Sequence, residues 1–266
     1  MSVSFSSRIF IIANEKGGVG KSTTALALID WLTLNSQPPT IIQVDRQKRL
    51  ENSIGKDVLT IDSDPKAARL APELEMRRFS PMLEKIEVSA GRAPVIIDIG
   101  AGEVERFTTW AALVDLEEEF IEWQLSCYLI VPFLAESEAI RQAAWSVNRL
   151  RSALPQSMIC LVENQRDGKI STLHPNSSAA QAFEEFLTTW RSQSIHLTLP
   201  AIPGNSWRWF ETANCRFLSV VDMTTADTMN RTGLSRADAK IVRGDVSQWL
   251  VNIFDEFDRT FGVVKG

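Results

Sequence analysis

The sequence predicts an α/β fold with a doubly wound, mostly parallel sheet that carries helices on both faces. Two observations lead to this prediction. Short apolar runs recur along the chain, and several have the composition of strands buried on both faces. Stretches in which apolar residues recur at helical spacing separate most of these runs. Strands that alternate with helices imply parallel crossover connections.

Six apolar runs are predicted strands. The first begins at Arg8, is rich in β-branched and aromatic residues, and ends after Ala13 at a glycine-rich turn. The six runs span residues 8–13, 41–45, 58–61, 95–98, 127–131 and 158–162. Short, continuous apolar runs of this kind are typical of a parallel sheet.

Five stretches between or after these runs are predicted helices. They span residues 22–34, 81–89, 103–119, 136–154 and 177–191. The first has apolar residues at helical spacing, and the adjacent prolines Pro38 and Pro39 end it. We expect the Ser80 hydroxyl to cap the second, which has Pro81 at its first position.

The whole chain, residues 1–266, is expected to form one domain. Residues 200–234 are its least regular part, and residues 235–262 are expected to form a C-terminal helix. Six large side chains lie close to one face of this helix: Trp249, Leu250, Ile253, Phe254, Phe257 and Phe261. The other face carries carboxylates, which anionic lipid would repel, so we expect this helix to pack on protein rather than on a membrane.

The composition narrows the functional class. The chain has 44% hydrophobic residues, enough for a sizeable core, and no apolar run of 18 or more residues. Its three cysteines are far apart and its two histidines cannot build a zinc cluster alone, so we expect a reducing, cytoplasmic setting. A formal net charge of −5 argues against an overall attraction to nucleic acid, although a local basic patch is compatible with it.

The turn after the first strand carries the strongest functional signal. It reads Gly-Gly-Val-Gly-Lys-Ser and is followed by a predicted helix. Glycines allow positive φ, so successive backbone N–H groups can converge on phosphate oxygens, and the helix N-terminus adds its positive dipole end. Seven residues are therefore predicted to bind the phosphates: Gly17, Gly18, Val19, Gly20, Lys21, Ser22 and Thr23. Lys21 would neutralise the β- and γ-phosphates, and the Ser22 hydroxyl would ligate Mg²⁺.

One departure from the general phosphate-loop pattern is informative. That pattern has glycine five positions before Gly20, where this chain has Glu15, followed by Lys16. The resulting string with two lysines resembles the deviant Walker A motif of the ParA/MinD family of ATPases. The resemblance implies that Lys16 reaches across an ATP-dependent homodimer to the phosphates of the partner subunit. A cation supplied in this way would stabilise charge on the transferring group and couple hydrolysis to dimerisation.

The resemblance extends along residues 8–165. The run Val95 to Gly102 resembles the Walker B strand and the turn after it, which implies that Asp98 holds Mg²⁺ through water. Leu129 to Pro132 resembles the next core strand of the family, which ends in a Val-Pro step. Asn164 lies where family members often have an asparagine that recognises adenine. The alternative is that Asn164 is a simple turn residue.

The switch segment differs from the family pattern Asp-x-Asp-Pro-Gln. In the register that we favour, Gln43 replaces the first aspartate, Asp45 is the second, which positions the attacking water, and Arg46 replaces proline. In the other register Asp45 is the first aspartate and Gln47 takes the catalytic position. Either way one acidic residue is missing, so we expect a weak, slowly hydrolysing ATPase that a partner stimulates.

The cysteines, a short string at the switch and the basic residues indicate which branch of the family the chain resembles. The cluster-binding branch needs paired cysteines at the dimer axis, whereas Cys127 and Cys160 lie within predicted strands. A short string around the switch, residues 44–50, is similar to plasmid-encoded StbB/TraL-like proteins. Basic residues that could contact non-specific DNA lie near the switch and near the C-terminus: Arg46, Lys48, Arg49, Arg231, Arg236, Lys240 and Arg243.

Three hypotheses for the function follow. The first is an ATP-binding dimerisation switch that positions or partitions a cargo, with plasmid DNA segregation or conjugation-linked stability as the favoured role and a DNA-binding adaptor as the protein partner. The second is a metabolic P-loop ligase or kinase that acts on a small acid. The third is a binding module that uses ATP as a structural cofactor. ATP and Mg²⁺ are the expected cofactors, with preference for ATP over GTP left open.

Overall fold

A computed structural model describes residues 5–62 and 72–262 of the chain. Within these segments seven strands form one parallel sheet: β1 Arg8–Ala13, β2 Thr40–Val44, β3 Val58–Thr60, β4 Val95–Ile99, β5 Ser126–Leu134, β6 Met158–Asn164 and β7 Ile195–Leu199. Their order across the sheet is β3-β2-β4-β1-β5-β6-β7. The chain places β2 and β3 on one side of β1, returns to insert β4 between β1 and β2, and then adds β5, β6 and β7 on the other side, which confirms the predicted doubly wound parallel sheet.

Thirteen α-helices are assigned in the same segments: α1 Lys21–Leu34, α2 Arg49–Ile54, α3 Pro72–Arg77, α4 Ser80–Ser89, α5 Val104–Leu113, α6 Leu116–Glu122, α7 Ser137–Ala153, α8 Ser178–Ala182, α9 Thr188–Arg191, α10 Arg208–Glu211, α11 Phe217–Asp222, α12 Thr225–Thr232 and α13 Arg236–Phe261. A π-helical segment, Phe183–Leu187, joins α8 to α9. No helix of the described chain is both long and apolar enough to cross a membrane.

Two apolar cores cover the two faces of the sheet. Helices α4, α5, α6 and α7 contribute to one core, in which Phe107 and Ile86 are fully buried. Helices α1, α11 and α13 contribute to the other, in which Trp31 and Phe217 are almost fully buried. Because both faces are covered, the central strands are apolar at nearly every position, and all six residues of β1 are buried.

Strand β7 was not predicted from the sequence. Its sequence alternates apolar Ile195, Leu197 and Leu199 with polar His196 and Thr198. It pairs only with β6 in the described sheet, so it is an edge strand. An edge strand with one wet face lacks the continuous apolar run that identified the other six.

Two predicted helices differ in detail from the structure. The predicted helix over 103–119 is divided into α5 and α6, because Asp115 has a left-handed backbone with φ of 48°. Ser80 is the first residue of α4, whose N-terminus has no side-chain capping bond, so the predicted Ser80 cap is wrong. Both differences arise at helix ends, which apolar periodicity constrains least.

Helix α13 packs in the core along its apolar face. Trp249, Ile253 and Phe257 are buried against the sheet and against α1. The Trp31 indole Nε1 of α1 donates to Asp258 Oδ1 at 2.8 Å, and the Arg8 guanidinium donates to the carbonyl of the last helical residue, Phe261. The apolar stripe of this helix is therefore part of the domain interior.

The segment over 200–234 contains three short helices, α10, α11 and α12, which together pack beside α1 and α13. The Asp30 carboxylate of α1 is fully buried and makes an ion pair with Arg216. It also accepts a hydrogen bond from the backbone N–H of Leu218 at 3.0 Å, and Arg216 donates to Thr33 Oγ1 at 3.0 Å. These contacts fix the segment to the helix that follows the glycine-rich turn.

Replacement of Arg216 by methionine tests this attachment. The change leaves the buried Asp30 carboxylate without its cation, so we expect the free energy of unfolding to fall by about 3 kcal/mol in urea titrations. The exposed pair of Arg259 with Glu256 is the matched control, and Arg259→Met is expected to cost less than about 1 kcal/mol. Equal losses in the two variants would contradict the assignment of Arg216 as a structural tie.

Candidate functional site

The glycine-rich turn lies at the carboxyl end of β1, the strand where the winding reverses, which is where open α/β sheets bind ligands. Gly18 and Gly20 have φ values of 76° and 99°, which other residues rarely adopt. The backbone N–H groups of Gly17, Gly18 and Gly20 have no hydrogen-bond partner among the described residues. Helix α1 begins directly after them, so the turn presents the donors that an anion requires.

Side chains from three elements hold this turn by its carbonyl groups. Lys21 Nζ donates to Lys16 O at 2.7 Å, Asn164 Nδ2 to Val19 O at 3.0 Å, and Arg166 to Gly18 O at 2.9 Å. With these carbonyls occupied, the conformation of the turn is fixed before any ligand binds.

The start of the turn is fixed in the same way. The Asn14 side chain donates to Pro132 O at 2.8 Å and accepts from the backbone N–H of Lys16 at 2.8 Å. The backbone N–H of Glu15 donates to Ser146 Oγ of α7 at 3.0 Å. The Val-Pro step at the end of β5 thus supplies an acceptor for the turn.

Lys21 lies beneath the turn and is almost fully buried. Burial lowers its pKa, and the carboxylates of Asp98 and Asp45 oppose that shift. A buried ammonium with two carboxylates nearby is a strong site for an additional anion only if a cation offsets those carboxylates.

Ser22 and Asp98 form a pair suited to such a cation. Ser22 Oγ donates to Asp98 Oδ2 at 2.8 Å, while the buried Asp98 Oδ1 has no hydrogen-bond partner in the described chain. Burial raises the pKa of Asp98 to about 6, although Ser22 and Lys21 oppose the shift. A hydroxyl and a carboxylate are oxygen ligands of the kind that Mg²⁺ prefers. The described residues hold no cluster of three or more His, Cys, Asp or Glu for a metal, so Mg²⁺ would need further oxygens from phosphate or water.

The switch segment follows β2, and Asp45 and Gln47 both line the cavity beside the turn. Asp45 Oδ1 accepts from the backbone N–H of Gln47 at 3.1 Å. Gly100, at the end of β4, lies so close to this segment that a Cβ there would approach Val44 O to 2.7 Å. Both registers therefore keep their catalytic residue at the cavity, and the choice between them stays a prediction.

Gln43 lies away from the cavity, fully buried. Its Nε2 donates to Thr60 Oγ1 at 2.6 Å, and its Oε1 accepts from the backbone N–H groups of Leu50 and Glu51 at 3.0 and 3.4 Å. The glutamine that replaces an aspartate of the family pattern thus caps α2 and ties it to β3.

The two lysines of the turn differ in position. Lys21 is buried, whereas the Lys16 side chain is about one-third exposed and its Nζ lies 3.1 Å from Glu136 Oε2, at the N-terminus of α7. Lys16 does not line the cavity of its own chain. The turn therefore has one cation for its own cavity and a second at the surface.

Asn164 lies at the end of β6, and its side chain is largely engaged with the protein. Its amide donates to Val19 O, and its Oδ1 accepts from the backbone N–H of Arg166 at 3.1 Å. A Cβ on Gly20 would lie 2.4 Å from Asn164 Nδ2. The turn-residue alternative thus describes part of its role, and because Asn164 also lines the cavity, the reading of adenine stays a prediction.

A cavity of about 770 Å³ joins these parts, within the range of small-molecule sites. Most of the predicted site residues line it: Gly17, Gly18, Gly20, Lys21, Ser22, Thr23, Asp45 and Asn164. Val19 is fully buried, and Asp98 lies behind Ser22.

Sequence reasoning did not assign several other residues to the cavity wall, and it considered Arg49 only as a possible DNA contact. Leu199, Trp207 and Trp249 form the apolar end of the cavity, beside β7, and Arg49, Arg166 and Glu211 lie around it. These residues come from distant parts of the chain, so no spacing links them. Arg166 was the residue that the sequence could most easily have indicated, since it follows Asn164 by two positions in the turn after a predicted strand.

The cysteines contribute nothing to this cavity. Cys127, Cys160 and Cys215 are buried and unpaired, the first two within β5 and β6. Burial raises the pKa of Cys127 to about 12. A thiol this hard to ionise is a poor metal ligand.

Replacement of Asp98 by asparagine tests the site electrostatics. Burial raises the pKa above the ordinary value of 3.8, so the folded protein binds more protons than the unfolded chain between about pH 4 and 6, and Asp98 lowers stability as pH rises through that window. At neutral pH Asp98→Asn is therefore expected to raise the melting temperature of the unliganded protein by ~2–4 °C. The gain should shrink near pH ~5, whereas a gain that is independent of pH would contradict the assigned cause. The same variant should lose any Mg²⁺ dependence of phosphate binding at the turn.

Comparisons with known proteins give a family. The profile of the family described as the CobQ/CobB/MinD/ParA nucleotide binding domain matches residues 10–256. A comparison with curated proteins gave no match.

Solved structures similar to this chain include a putative plasmid partition protein from Borrelia burgdorferi bound to AMPPNP, with 16% identity, a TM-score of 0.49, and coverage of 92% of this chain and 98% of that one. MinD from Aquifex aeolicus has 14% identity, a TM-score of 0.49, and coverage of 92% and 97%. Cobyrinic acid a,c-diamide synthase from Mycobacterium smegmatis, with bound ATP analogue and magnesium, has 16% identity, a TM-score of 0.45, and coverage of 78% and 93%.

Proposed function

Because the chain belongs to the CobQ/CobB/MinD/ParA nucleotide-binding family, we propose that it is an ATP-dependent dimerisation switch that positions or partitions a cargo. The observation that carries this proposal is the different position of two lysines in one phosphate-binding turn. Lys21 lies under the turn, and Lys16 lies at the surface, outside its own cavity.

Lys21 and the free N–H groups of the turn bind the phosphates within one subunit. Lys21 is held in place by the carbonyl of Lys16, so its ammonium needs no rearrangement to face an anion. Its burial makes the contact strong, because the ammonium has little water to lose. This part of the site accounts for binding of ATP without a second subunit.

Lys16 serves the phosphates of the partner subunit. Its ion pair with Glu136 joins two side chains that are about one-third and nearly one-half exposed, so the pair is weak and readily exchanged. A triphosphate presented by a second subunit offers Lys16 more negative charge than one carboxylate. Closure of the dimer therefore depends on nucleotide, and loss of the terminal phosphate reopens it.

Ser22 and Asp98 are the residues that would hold Mg²⁺, Ser22 through its hydroxyl and Asp98 through water. When bound, this ion would neutralise charge on the phosphates. Asp98 Oδ1 is the acceptor that remains for a coordinated water, and the hydroxyl of Ser22 is oriented by Asp98 Oδ2.

Hydrolysis is slow in this proposal. Asp45 orients the attacking water from the edge of the cavity, where its carboxylate is already fixed by the backbone N–H of Gln47. Gln43, at the position of the other aspartate of the family pattern, is neutral and committed to α2. Because the switch segment has one acidic residue in place of two, it hydrolyses ATP slowly until a partner protein completes the catalytic site.

The cargo that we favour is plasmid DNA, engaged in the cytoplasm through a DNA-binding adaptor. The net charge of −5 disfavours strong direct binding to nucleic acid. Of the basic residues near the switch, Lys48 is paired with Asp62, and Arg49 contacts Gln47 and Glu211. We therefore assign DNA binding to an adaptor protein rather than to the basic residues near the switch.

Replacement of Lys16 by alanine tests the dimerisation switch. Light scattering of the unmodified protein should show the mass of one chain without nucleotide and of two chains with ATP and Mg²⁺. Lys16→Ala should remain at one chain while it still binds ATP, whereas Lys21→Ala should lose nucleotide binding, since its ammonium belongs to the subunit's own cavity.

Two controls make this measurement specific. Glu136→Gln removes the ion pair but keeps Lys16, so it should still dimerise. Lys85→Ala removes an exposed lysine from α4 and should behave like the unmodified protein. An ATP-independent mass, or a Lys16→Ala protein that dimerises normally, would refute the switch.

Replacement of Asp45 by alanine tests the register of the switch segment. If Asp45 orients the attacking water, its loss should lower the rate of phosphate release at least about tenfold with little change in ATP affinity. Gln47→Ala is the matched comparison in the same segment. A rate that Asp45→Ala leaves unchanged and Gln47→Ala abolishes would support the other register, and no measurable hydrolysis in any form would favour a binding module.

A further inference from the structure

Several charged side chains that the proposed mechanism does not use line the cavity, among them Arg49, Arg166 and Glu211. Arg49 is in the first turn of α2, Arg166 follows β6, and Glu211 is the last residue of α10. All three line the cavity. Arg49 and Glu211 meet across it, with 3.9 Å between the guanidinium nitrogen and the carboxylate oxygen.

The Arg49–Glu211 contact joins two separate parts of the cavity wall. Arg49 belongs to the switch side, where its Nε donates to Gln47 Oε1 at 2.8 Å. Glu211 ends α10, in a stretch of chain that also contributes Ile202 and Trp207 to the cavity wall. This stretch therefore reaches from the apolar end of the cavity to the switch.

The order of the strands gives the cavity a direction. Its apolar end lies beside β7, the glycine-rich turn follows β1, and the switch segment follows β2, two strands beyond β1. A nucleotide bound with its base at the apolar end and its phosphates at the turn would extend toward β2. In that orientation the terminal phosphate would be the part of the ligand nearest to Arg49.

The charges around the phosphate-binding turn leave the Arg49 guanidinium available for an anion. Lys21 lies near two carboxylates, Asp45 and Asp98, and a divalent cation bound beside them would offset their charge. Arg49 lines the same cavity as Lys21, and its Nε donates to Gln47 Oε1, so its guanidinium lies on the switch side of that cavity. The Arg49 guanidinium is held only by the neutral amide of Gln47 and by the Glu211 carboxylate at 3.9 Å, so an anion with more charge can replace Glu211.

We propose that Arg49 is a specificity-determining residue that makes the cavity prefer a nucleoside triphosphate over a diphosphate, and that Glu211 holds it when no terminal phosphate is present. This inference rests on the proposed binding of ATP in the cavity. A terminal phosphate takes the place of Glu211 as the anion beside Arg49. Glu211, about half exposed and nearly 4 Å away, is easily displaced.

Gln43 fixes the backbone next to Arg49. Its side-chain oxygen binds the backbone N–H groups of Leu50 and Glu51, the two residues directly after Arg49. The backbone at the start of α2 is thus anchored to β2 and β3, and only the Arg49 side chain needs to move between Glu211 and a phosphate. The substitution of glutamine for an acid at this position serves the same end, since a carboxylate could not donate to Thr60.

The test compares the affinities of ADP and of AMPPNP, each with Mg²⁺, by isothermal titration calorimetry. Arg49→Gln should weaken AMPPNP binding about tenfold and ADP binding less than about threefold, because it removes charge-assisted hydrogen bonds to the terminal phosphate alone. Arg49→Lys should restore part of the preference. Glu211→Gln should tighten AMPPNP binding severalfold and leave ADP unchanged, because it removes the competing anion.

Matched controls are Arg92→Gln and Glu87→Gln, which change exposed charges remote from the cavity and should alter neither affinity. The inference is wrong if Arg49→Gln weakens both nucleotides by one factor or neither, or if Glu211→Gln leaves AMPPNP binding unchanged or weaker. Its failure is distinct from that of the dimerisation switch. A chain that binds AMPPNP through Arg49 but stays monomeric would retain this inference and refute the switch.

Discussion

The structure depends on one constraint, namely that a turn which offers its backbone N–H groups to a ligand cannot hold itself together with them. Its carbonyl groups take over this task. Lys21, Asn164 and Arg166 each donate to a different carbonyl of the turn, and they come from α1 and from the end of β6. The adjoining Asn14 adds a contact to the end of β5. Helix α1 and the ends of β5 and β6 thereby set the shape of the turn that follows β1, so the sheet order is itself part of the candidate site.

The fold was largely predictable because burial on both faces leaves a simple pattern. A central strand such as β4, with five buried residues, can hardly be anything else once glycine turns and helices flank it. The pattern fails where one face meets water, as in β7, or where a single residue bends the chain, as Asp115 does between α5 and α6. The capping box of Thr224 and Asp227 and the left-handed Gly233 were signals for α12 that apolar periodicity does not contain.

The site was predictable only where it is contiguous in sequence. The turn from Gly17 to Thr23 carries its chemistry in its own residues, and Asp98 could be found because it ends a strand beside the turn. Asn164 was found by position, but its engagement with Val19 depends on how β6 lies against the turn. Arg49 and Glu211 approach each other over more than 160 positions of sequence, and only the folded chain brings them to one cavity.

The contact between Arg8 and the carbonyl of Phe261 has a consequence for the order in which the molecule forms. Phe261 also packs edge-on against Phe10 of β1, with ring centroids 5.3 Å apart, and Phe257 packs against Trp31 of α1 at 5.8 Å. The first strand and first helix thus complete their apolar surface with the last helix. During synthesis on a ribosome the turn between them emerges well before α13, so the strand and helix that flank it complete their apolar surface only after α13 has emerged as well.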